Sequence, residues 1–337
     1  MNTPINRGVS KGPRTTLLAR FSGLPQVKGY FLFFSKNLAL TPAYLVISDS
    51  CLKLYAFLSR AWIRTKIDHI VLKFCLLPTQ KNTIMDLQLN QYKYLVTGAS
   101  AGLGRAVAET LLKNGAGVWA VARRKDLLKE LSDQWTGRVT TIPGDITDPA
   151  FLRDLKQKIP EDLYGAFLNS GGPPAATISE TSIDEWDQAY NSVLRWKVDL
   201  SKFLMEKFLI RHKGRLLFSE SASVNSPIPN LVLSNSFRMA VVGYMKTMVK
   251  EIHHEDITVN VIAPGYHETG ALNRLIKKMA DQKNLTEEEA QKDLKSRVPV
   301  GRLGKPEEFA SLAAWLLSPM AGFASGQIFT LDGGEGR

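Results

Sequence analysis

Ser221 is followed thirteen residues later by Ser234, and Ser234 is followed four residues later by Arg238. The first serine closes a β-rich run, and the second serine and the arginine fall in a helical stretch. Side chains four apart share a helix face, so Ser234 and Arg238 are expected to meet. A serine hydroxyl orients a substrate oxygen but is a far weaker acid than a phenol. Each tenfold gain in acidity costs about 1.4 kcal/mol. A guanidinium keeps its charge at any working pH, so Arg238 can hold hydroxyls or anions but cannot pass a proton along a relay. The segment "PGYHETG" brings two groups better suited to proton transfer, the phenol of Tyr266 and the imidazole of His267. Histidine titrates near neutrality by default. Two readings of them stand: one supplies the proton that a serine hydroxyl and a guanidinium do not, or both only line and cap the loop. Glu220 adjoins Ser221, and the alternation of a strand turns it to the opposite face.

These residues need a scaffold, and its start is written in "YKYLVTGASAGLGRAVAETLLKNGAGVWAVARR" from Tyr92. The run YKYLV reads as a strand. Leu103, Val107, Leu111 and Leu112 fall on one helical face, and GVWAVA reads as a second strand. The connection between the first strand and the helix is Thr97-Gly98-Ala99-Ser100-Ala101-Gly102-Leu103-Gly104. Glycines there let the backbone turn tightly and approach a pyrophosphate, while a helix N-terminus presents free N–H groups and positive potential. A glycine triplet alone is an ordinary turn. Placed after a strand and at the head of a helix, it is a dinucleotide site.

The second strand ends in Ala122-Arg123-Arg124, where an acid that binds a ribose diol would be expected. Two guanidiniums at that point suit a 2′-phosphate instead, so the expected cofactor is NADP(H) rather than NAD(H). The competing reading is a solvated helix cap.

The spacing G-x-x-x-G-x-G with its preceding Thr resembles the short-chain dehydrogenase/reductase family, and the likeness runs from about residue 88 to residue 337. "GDITD" matches the family's adenine-contacting Asp, here Asp145 followed by Ile146. "NSGG", Asn169-Ser170-Gly171-Gly172, stands where the family has Asn-Asn-Ala-Gly. "ITVNVIAPGY" matches the strand and turn beside the nicotinamide, here Pro264 and Gly265, and Thr269 resembles the residue that holds the carboxamide. "GRLGKPEEFASLAAWLLSP" and "SGQIFTLDGG" match the C-terminal helix, last strand and tail. The resemblance implies one Rossmann-type domain over residues 85–337, an α/β fold with a doubly wound parallel sheet and helices on both faces.

The same resemblance implies a catalytic Asn-Ser-Tyr-Lys set, and this chain departs from it. Ser221 stands at the serine position, Ser234 at the tyrosine position and Arg238 at the lysine position. The asparagine position falls on Val193, or on Asn191 after a slip of two residues. In the family, the Lys ammonium and the oxidised nicotinamide lower the phenol's pKa from about 10 toward working pH, and that device is gone.

The expected function is therefore an NADP-dependent oxidoreductase that moves a hydride between nicotinamide and a carbonyl or alcohol, similar to the 3-oxoacyl-[acyl-carrier-protein] reductases, with a degenerate tetrad. A catalytically silent NADP(H)-binding sensor or subunit partner is the rival, and lyase-type chemistry a third option. The substrate expected is a small carbonyl or acyl compound, and the resemblance implies a homotetramer or homodimer. The charged stretch 270–296 lies where the family keeps its substrate lid, and within it Thr286, with Glu289 three residues on, reads as a helix cap. Asn225 to Pro229 reads as a loop over the pocket. Trp186, Trp196 and Trp315 read as core or subunit contacts.

Charge is unevenly spread. Residues 1–84 hold twelve Lys and Arg against Asp49 and Asp68, a balance of +10, so of the net +11 only +1 belongs to residues 85–337. The globular part thus has no electrostatic footprint for nucleic acid. Both cysteines, Cys51 and Cys75, also lie in the first segment, which leaves no Cys-based metal site downstream. Adjacent His253 and His254 do not share a helix face, and no metal site is expected there. No apolar run reaches the ~18 residues that span a bilayer. Three readings fit residues 1–84: an Arg-rich transit peptide, a membrane-surface anchor, or an upstream stretch outside the natural product. The last is favoured, because Met85 opens the lead-in to the first strand. The location follows as cytoplasmic, or an organelle matrix if the segment is a transit peptide.

Overall fold

Seven strands lie side by side, all parallel, in the order β3-β2-β1-β4-β5-β6-β7. The computed structural model describes residues 86–252 and 255–336. Residues 1–84, with both cysteines, and the pair His253-His254 lie outside the described residues. The strands are β1 (Lys93–Thr97), β2 (Gly117–Ala122), β3 (Val139–Pro143), β4 (Leu163–Leu168), β5 (Lys213–Ser219), β6 (Asp256–Pro264) and β7 (Ile328–Leu331). The helices are α1 (Gly102–Lys113), α2 (Lys125–Gln134), α3 (Pro149–Lys158), α4 (Ile183–Ala189), α5 (Trp196–Ile210), α6 (Val232–Glu251), α7 (Gly270–Lys283), α8 (Glu287–Arg297) and α9 (Pro306–Leu317).

Parallel strands need crossover connections, and the helices provide them on both faces of the sheet. One hydrophobic layer packs α3, α5 and α6, through Leu152, Leu200, Leu204, Val241 and Met245, against one face. The other packs α1, α2 and α9, through Val107, Leu111, Leu131, Phe309 and Ala313, against the opposite face. Strands covered on both faces read as continuous apolar runs, as YLV and LYGAFL do here. The chain reverses direction across the sheet between β1 and β4. In such a fold, the crevice beyond the carboxyl ends of those two strands is where ligands bind.

The lead-in to the site follows from short-range chemistry. Thr286 caps α8, its Oγ1 accepting from the Glu289 amide at 3.2 Å while the Glu289 carboxylate accepts from the Thr286 amide at 2.8 Å. That is the expected cap. Helices α7 and α8 form a hairpin around their own apolar centre of Leu272, Ile276, Ala280, Ala290 and Leu294. Among the described residues, no helix is long and apolar enough to cross a membrane.

Candidate active site

Two strand ends are tied together at the switch point. The Thr97 hydroxyl donates to the Asn169 carbonyl at 2.8 Å and accepts from the Asn169 amide at 2.7 Å. This clasp joins the ends of β1 and β4 under the glycine loop. Gly98 has a φ of +67°, and a Cβ on it would stand 2.6 Å from Asn169 Nδ2. A Cβ on Gly104 would stand 2.2 Å from the Gly98 carbonyl oxygen. Helix α1 and β1 therefore approach as closely as only glycine allows. Ala101 precedes α1 and offers no side-chain cap, so the first amides of the helix are left free for a ligand.

A cleft of about 1050 Å³ opens over these strand ends. Of the cofactor residues expected from sequence, Gly98, Ser100, Gly102, Leu103, Arg123, Arg124, Asp145, Ile146, Asn169, Ser170, Gly171, Arg238, Pro264 and Thr269 line it. Thr97, Gly104 and Gly265 stand behind the wall. The first two act through the clasp and the close approach just described. Gly265 packs on the C-terminal segment, its amide donating to the Leu331 carbonyl at 2.8 Å.

At one end of the cleft, Arg124 Nη2 donates to Ser100 Oγ at 3.2 Å. Arg123 is largely exposed and its Nη1 lies 4.0 Å from Asp145. Burial works to raise the Asp145 pKa, but the amide and hydroxyl of Thr147 and the charge of Arg123 outweigh it and hold the carboxyl below its ordinary value. Thr269 caps α7, its hydroxyl accepting from the Leu272 amide at 3.3 Å, and faces Gly102 across the cleft. On the same helix Arg274 turns to the cleft.

The other end is built differently. Arg238 and Ser234 meet as their spacing requires, with Nε donating to Ser234 Oγ at 3.0 Å. Both are buried. Arg238 Nη1 lies 3.3 Å from Glu220 Oε2, and the second carboxylate oxygen of Glu220 accepts from Lys197 Nζ. Lys197 also donates to the Ser219 carbonyl at 3.4 Å. The side chains of Lys197 and Glu220 are 1% and 0% exposed. Two cations thus share one buried carboxylate, Lys197 from the interior and Arg238 from the cleft wall. Burial, the largest influence, drives the Lys197 pKa below the ordinary lysine range. Glu220 opposes that shift and Arg238 adds to it.

Strand alternation explains why these groups meet. Leu216 and Phe218 of β5 pack in the layer of α5 and α6, so Glu220, two residues further on, points into the same layer. The opposite face to which it was expected to turn is the face that carries Arg238. Lys197 was missed. A lysine on a helix reads as solvated, and the signal against it was its place in α5 among Trp196, Leu200 and Leu204, all buried. A Cβ on Gly172 would stand 3.1 Å from Arg238 Nη2, so the second glycine of "NSGG" makes room for the guanidinium at the cleft wall.

The remaining expected residues fall elsewhere. Ser221 Oγ accepts from the Ser223 amide at 3.2 Å, capping a short helical turn. Tyr266 packs against the α7–α8 hairpin, where burial raises its pKa. His267 is buried, with Nδ1 3.2 Å from the Gly265 carbonyl and its ring edge-on to Phe309. Burial lowers its pKa. Neither Tyr266 nor His267 lines the cleft, nor does Ser221 or Ser234. Val193 sits buried in a π-helical stretch, Tyr190–Arg195, joining α4 to α5. The Asn191 amide donates back to the Asp187 carbonyl at 2.9 Å. Trp196 is buried in the core, Trp186 stacks edge-on with Phe237, and Trp315 does so with Phe329.

Residues 98–335 match the family model described as enoyl-(acyl carrier protein) reductase. The chain is 29% identical over 245 residues to the 3-oxoacyl-[acyl-carrier-protein] reductase FabG of Salmonella typhimurium, covering 71% of this chain and 95% of that protein. It is 29% identical over 250 residues to nodulation protein G of a Rhizobium species, covering 73% and 98%. Among solved structures it is similar to the L-sorbose reductase of Gluconobacter frateurii in complex with NADPH and L-sorbose. The TM-score is 0.71 at 24% identity, over 75% of this chain and 99% of that one.

Proposed function

From the premise that the chain belongs to the short-chain dehydrogenase/reductase family, we propose that it binds NADP(H) and moves a hydride between the nicotinamide and a carbonyl or alcohol carbon of a small or acyl-carried substrate. The observation that carries this is the cleft itself, with a backbone cradle closed to any side chain at Gly98 and Gly104 and a cationic end at Arg123 and Arg124. The residues fit the nucleotide. The free amides of α1 face the pyrophosphate, Arg124 and Ser100 with Arg123 take the 2′-phosphate, and Asp145 takes the adenine. Pro264 and Thr269 border the nicotinamide. When bound, the nicotinamide supplies the hydride.

The chain's own groups do the rest. Arg238 is held between Ser234 and Glu220 at the cleft wall and presents fixed positive charge where a carbonyl oxygen gains negative charge. Ser221, Ser234 and Tyr266 remain proposed contributors to substrate orientation and proton supply. For Tyr266 that role requires the α7–α8 hairpin to shift toward the cleft. The working form is read as a cytoplasmic homotetramer or homodimer.

The silent, cofactor-binding alternative is favoured by one observation: the guanidinium of Arg238 and the hydroxyl of Ser234, read as standing at the family's lysine and tyrosine positions, are bound to each other. One experiment separates the readings. The purified protein is mixed with NADPH and a panel of 3-oxoacyl thioesters, ketones and quinones, and dihydronicotinamide absorbance is followed. Substrate-dependent oxidation is the expected result. Saturable binding without oxidation across the panel supports the silent reading, and tighter NADH than NADPH binding overturns the cofactor assignment.

A further inference from the structure

The trio Lys197, Glu220 and Arg238 comes from three separate elements, α5, the end of β5 and α6, and among the described residues its side-chain polar atoms bond to one another, Ser234 and the Ser219 carbonyl. With all three ionised it carries one surplus positive charge at the cleft end formed by Ser219, Glu220, Arg238 and Pro264. Uncompensated charge in a dry interior is costly. Of the two cations, only the amine gives up a proton, because a guanidinium does not. We infer that Lys197 is the proton store of this site, releasing its proton when positive charge arrives beside the trio and keeping it when the neighbourhood is neutral or negative. This rests on the reading of the cleft as a nicotinamide site.

The charge count makes the inference specific. The oxidised nicotinamide ring carries a positive charge and the reduced ring none. When the oxidised ring binds, the Lys197 N–H bond breaks, its electron pair stays on nitrogen, and the proton leaves to solvent. Ring plus trio then hold the same total charge as the trio with the reduced ring. In the reduction direction the hydride leaves the ring positive and the substrate oxygen negative, and loss of one proton from Lys197 to solvent, as that oxygen gains one, returns ring, oxygen and trio to the starting charge. The lowered affinity of the buried amine for its proton agrees with this. Lys197 touches neither substrate nor cofactor and acts through its neighbours, so it is a positioning residue for charge.

The groups that face Lys197 from each packed element are few. β5 and its end bring Glu220, and α6 brings Arg238 and, six residues along, Tyr244, whose hydroxyl lies 3.0 Å from Ser201 Oγ. The third packed element, α3, brings Lys156, which pairs at the surface with Asp199 at 2.6 Å. On α5 itself the Trp196 ring lies 5.7 Å from Nζ.

Calorimetric titration of the full chain with NADP+ and separately with NADPH, each in two buffers of different ionisation enthalpy, counts the protons released on binding. Between about pH 7 and pH 9, NADP+ is expected to release up to about one proton per site more than NADPH. The excess is expected to vanish in Lys197→Met, which has no proton to give, and in Lys197→Arg, which keeps the charge but holds its proton. Glu220→Gln is expected to abolish it as well, because the amine then loses its proton before any nucleotide binds. If both nucleotides bind the wild type with equal proton release across that range, the inference fails while the cofactor assignment stands. An excess that survives in Lys197→Met also overturns it. If neither nucleotide binds, the cleft reading fails and takes the proton store with it. Equal release in the wild type overturns the inference even if a variant does not fold, and Lys197→Arg, which keeps the buried charge, assigns an observed excess if Lys197→Met does not fold.

Discussion

The two ends of the cleft are made of different materials. The phosphate end is main chain: a glycine loop, the free amides of α1 and a short clasp between Thr97 and Asn169. Two of its charged side chains, Arg123 and Arg124, are exposed. The other end is buried side chain: one carboxylate shared by a lysine and an arginine from helices forty-one residues apart in sequence. Backbone sites depend on local conformation and tolerate changes around them. Buried ionic sites depend on mutual charge, so loss of one member leaves the others uncompensated. The two ends should therefore fail in different ways when broken, one through binding and the other through folding.

Glu220→Ala is the hardest test of that contrast. It leaves Arg238 without a counter-charge and the buried Lys197 amine without the acceptor that holds its proton, a change expected to cost about 3–5 kcal/mol of stability. Urea unfolding followed by tryptophan fluorescence measures it. Lys197→Met combined with Glu220→Gln should recover part of the loss, because no unpartnered amine is then left in the interior and the amide still accepts from Arg238; residues in one network are non-additive. Equal destabilisation in the single and double variants would show that the trio does not act as a unit.

Gly104→Ala breaks the other end. Its Cβ would press on the Gly98 carbonyl at 2.2 Å, so the loop must move off the line of the pyrophosphate. NADPH affinity is expected to fall more than about 100-fold, or at least ~2.7 kcal/mol, as read by calorimetry. Unchanged affinity would mean that the nucleotide does not lie on this loop.

The contrast also explains what the sequence revealed. The glycine loop, its strand and its helix are consecutive residues, and Gly98 and Gly104 have local steric causes, so the motif exposes both the fold and the cradle at the switch point. Arg238 and Ser234 were legible because four residues fix a helix face. Glu220 was seen and set aside, since alternation says that it faces away from Ser221 but not which helices lie on that side. Lys197 was invisible for the same reason. Its partner is twenty-three residues away across a strand, and pairing of that kind is set by tertiary packing. Tyr266 shows how little adjacency fixes: it follows the Pro264-Gly265 turn directly, yet the hairpin of α7 and α8 provides an apolar seat for its ring.

Arg123→Ala with Arg124→Ala sharpens the difference at the exposed end. Charge-assisted hydrogen bonds contribute about 1.5–3 kcal/mol each when desolvated, and these side chains are partly hydrated, so the pair is expected to account for about a tenfold to hundredfold loss in NADPH affinity. NADH affinity and the unfolding free energy should barely change. A parallel loss of NADH binding, or a drop in stability, would show that the arginines serve α2 rather than the phosphate.

The smallest expected effect is a slope. Burial lowers the Lys197 pKa in the folded protein, while in the unfolded chain it returns to about 10.4. Between those two values the unfolded state binds more protons than the folded state, so stability rises with pH across that window. Below the window both states hold the proton, and above it neither does. One group contributes at most about 1.4 kcal/mol per pH unit. Other groups titrate in the same alkaline range, and Tyr164 is raised to about 12 by burial, so the informative quantity is the difference between wild type and Lys197→Met. As the pH is raised from neutral, urea unfolding should show the wild type gaining stability relative to Lys197→Met. A difference that stays flat or falls would mean that Glu220 holds the ammonium fully charged throughout, leaving the buried end of the cleft a fixed ionic lock with no proton to spare.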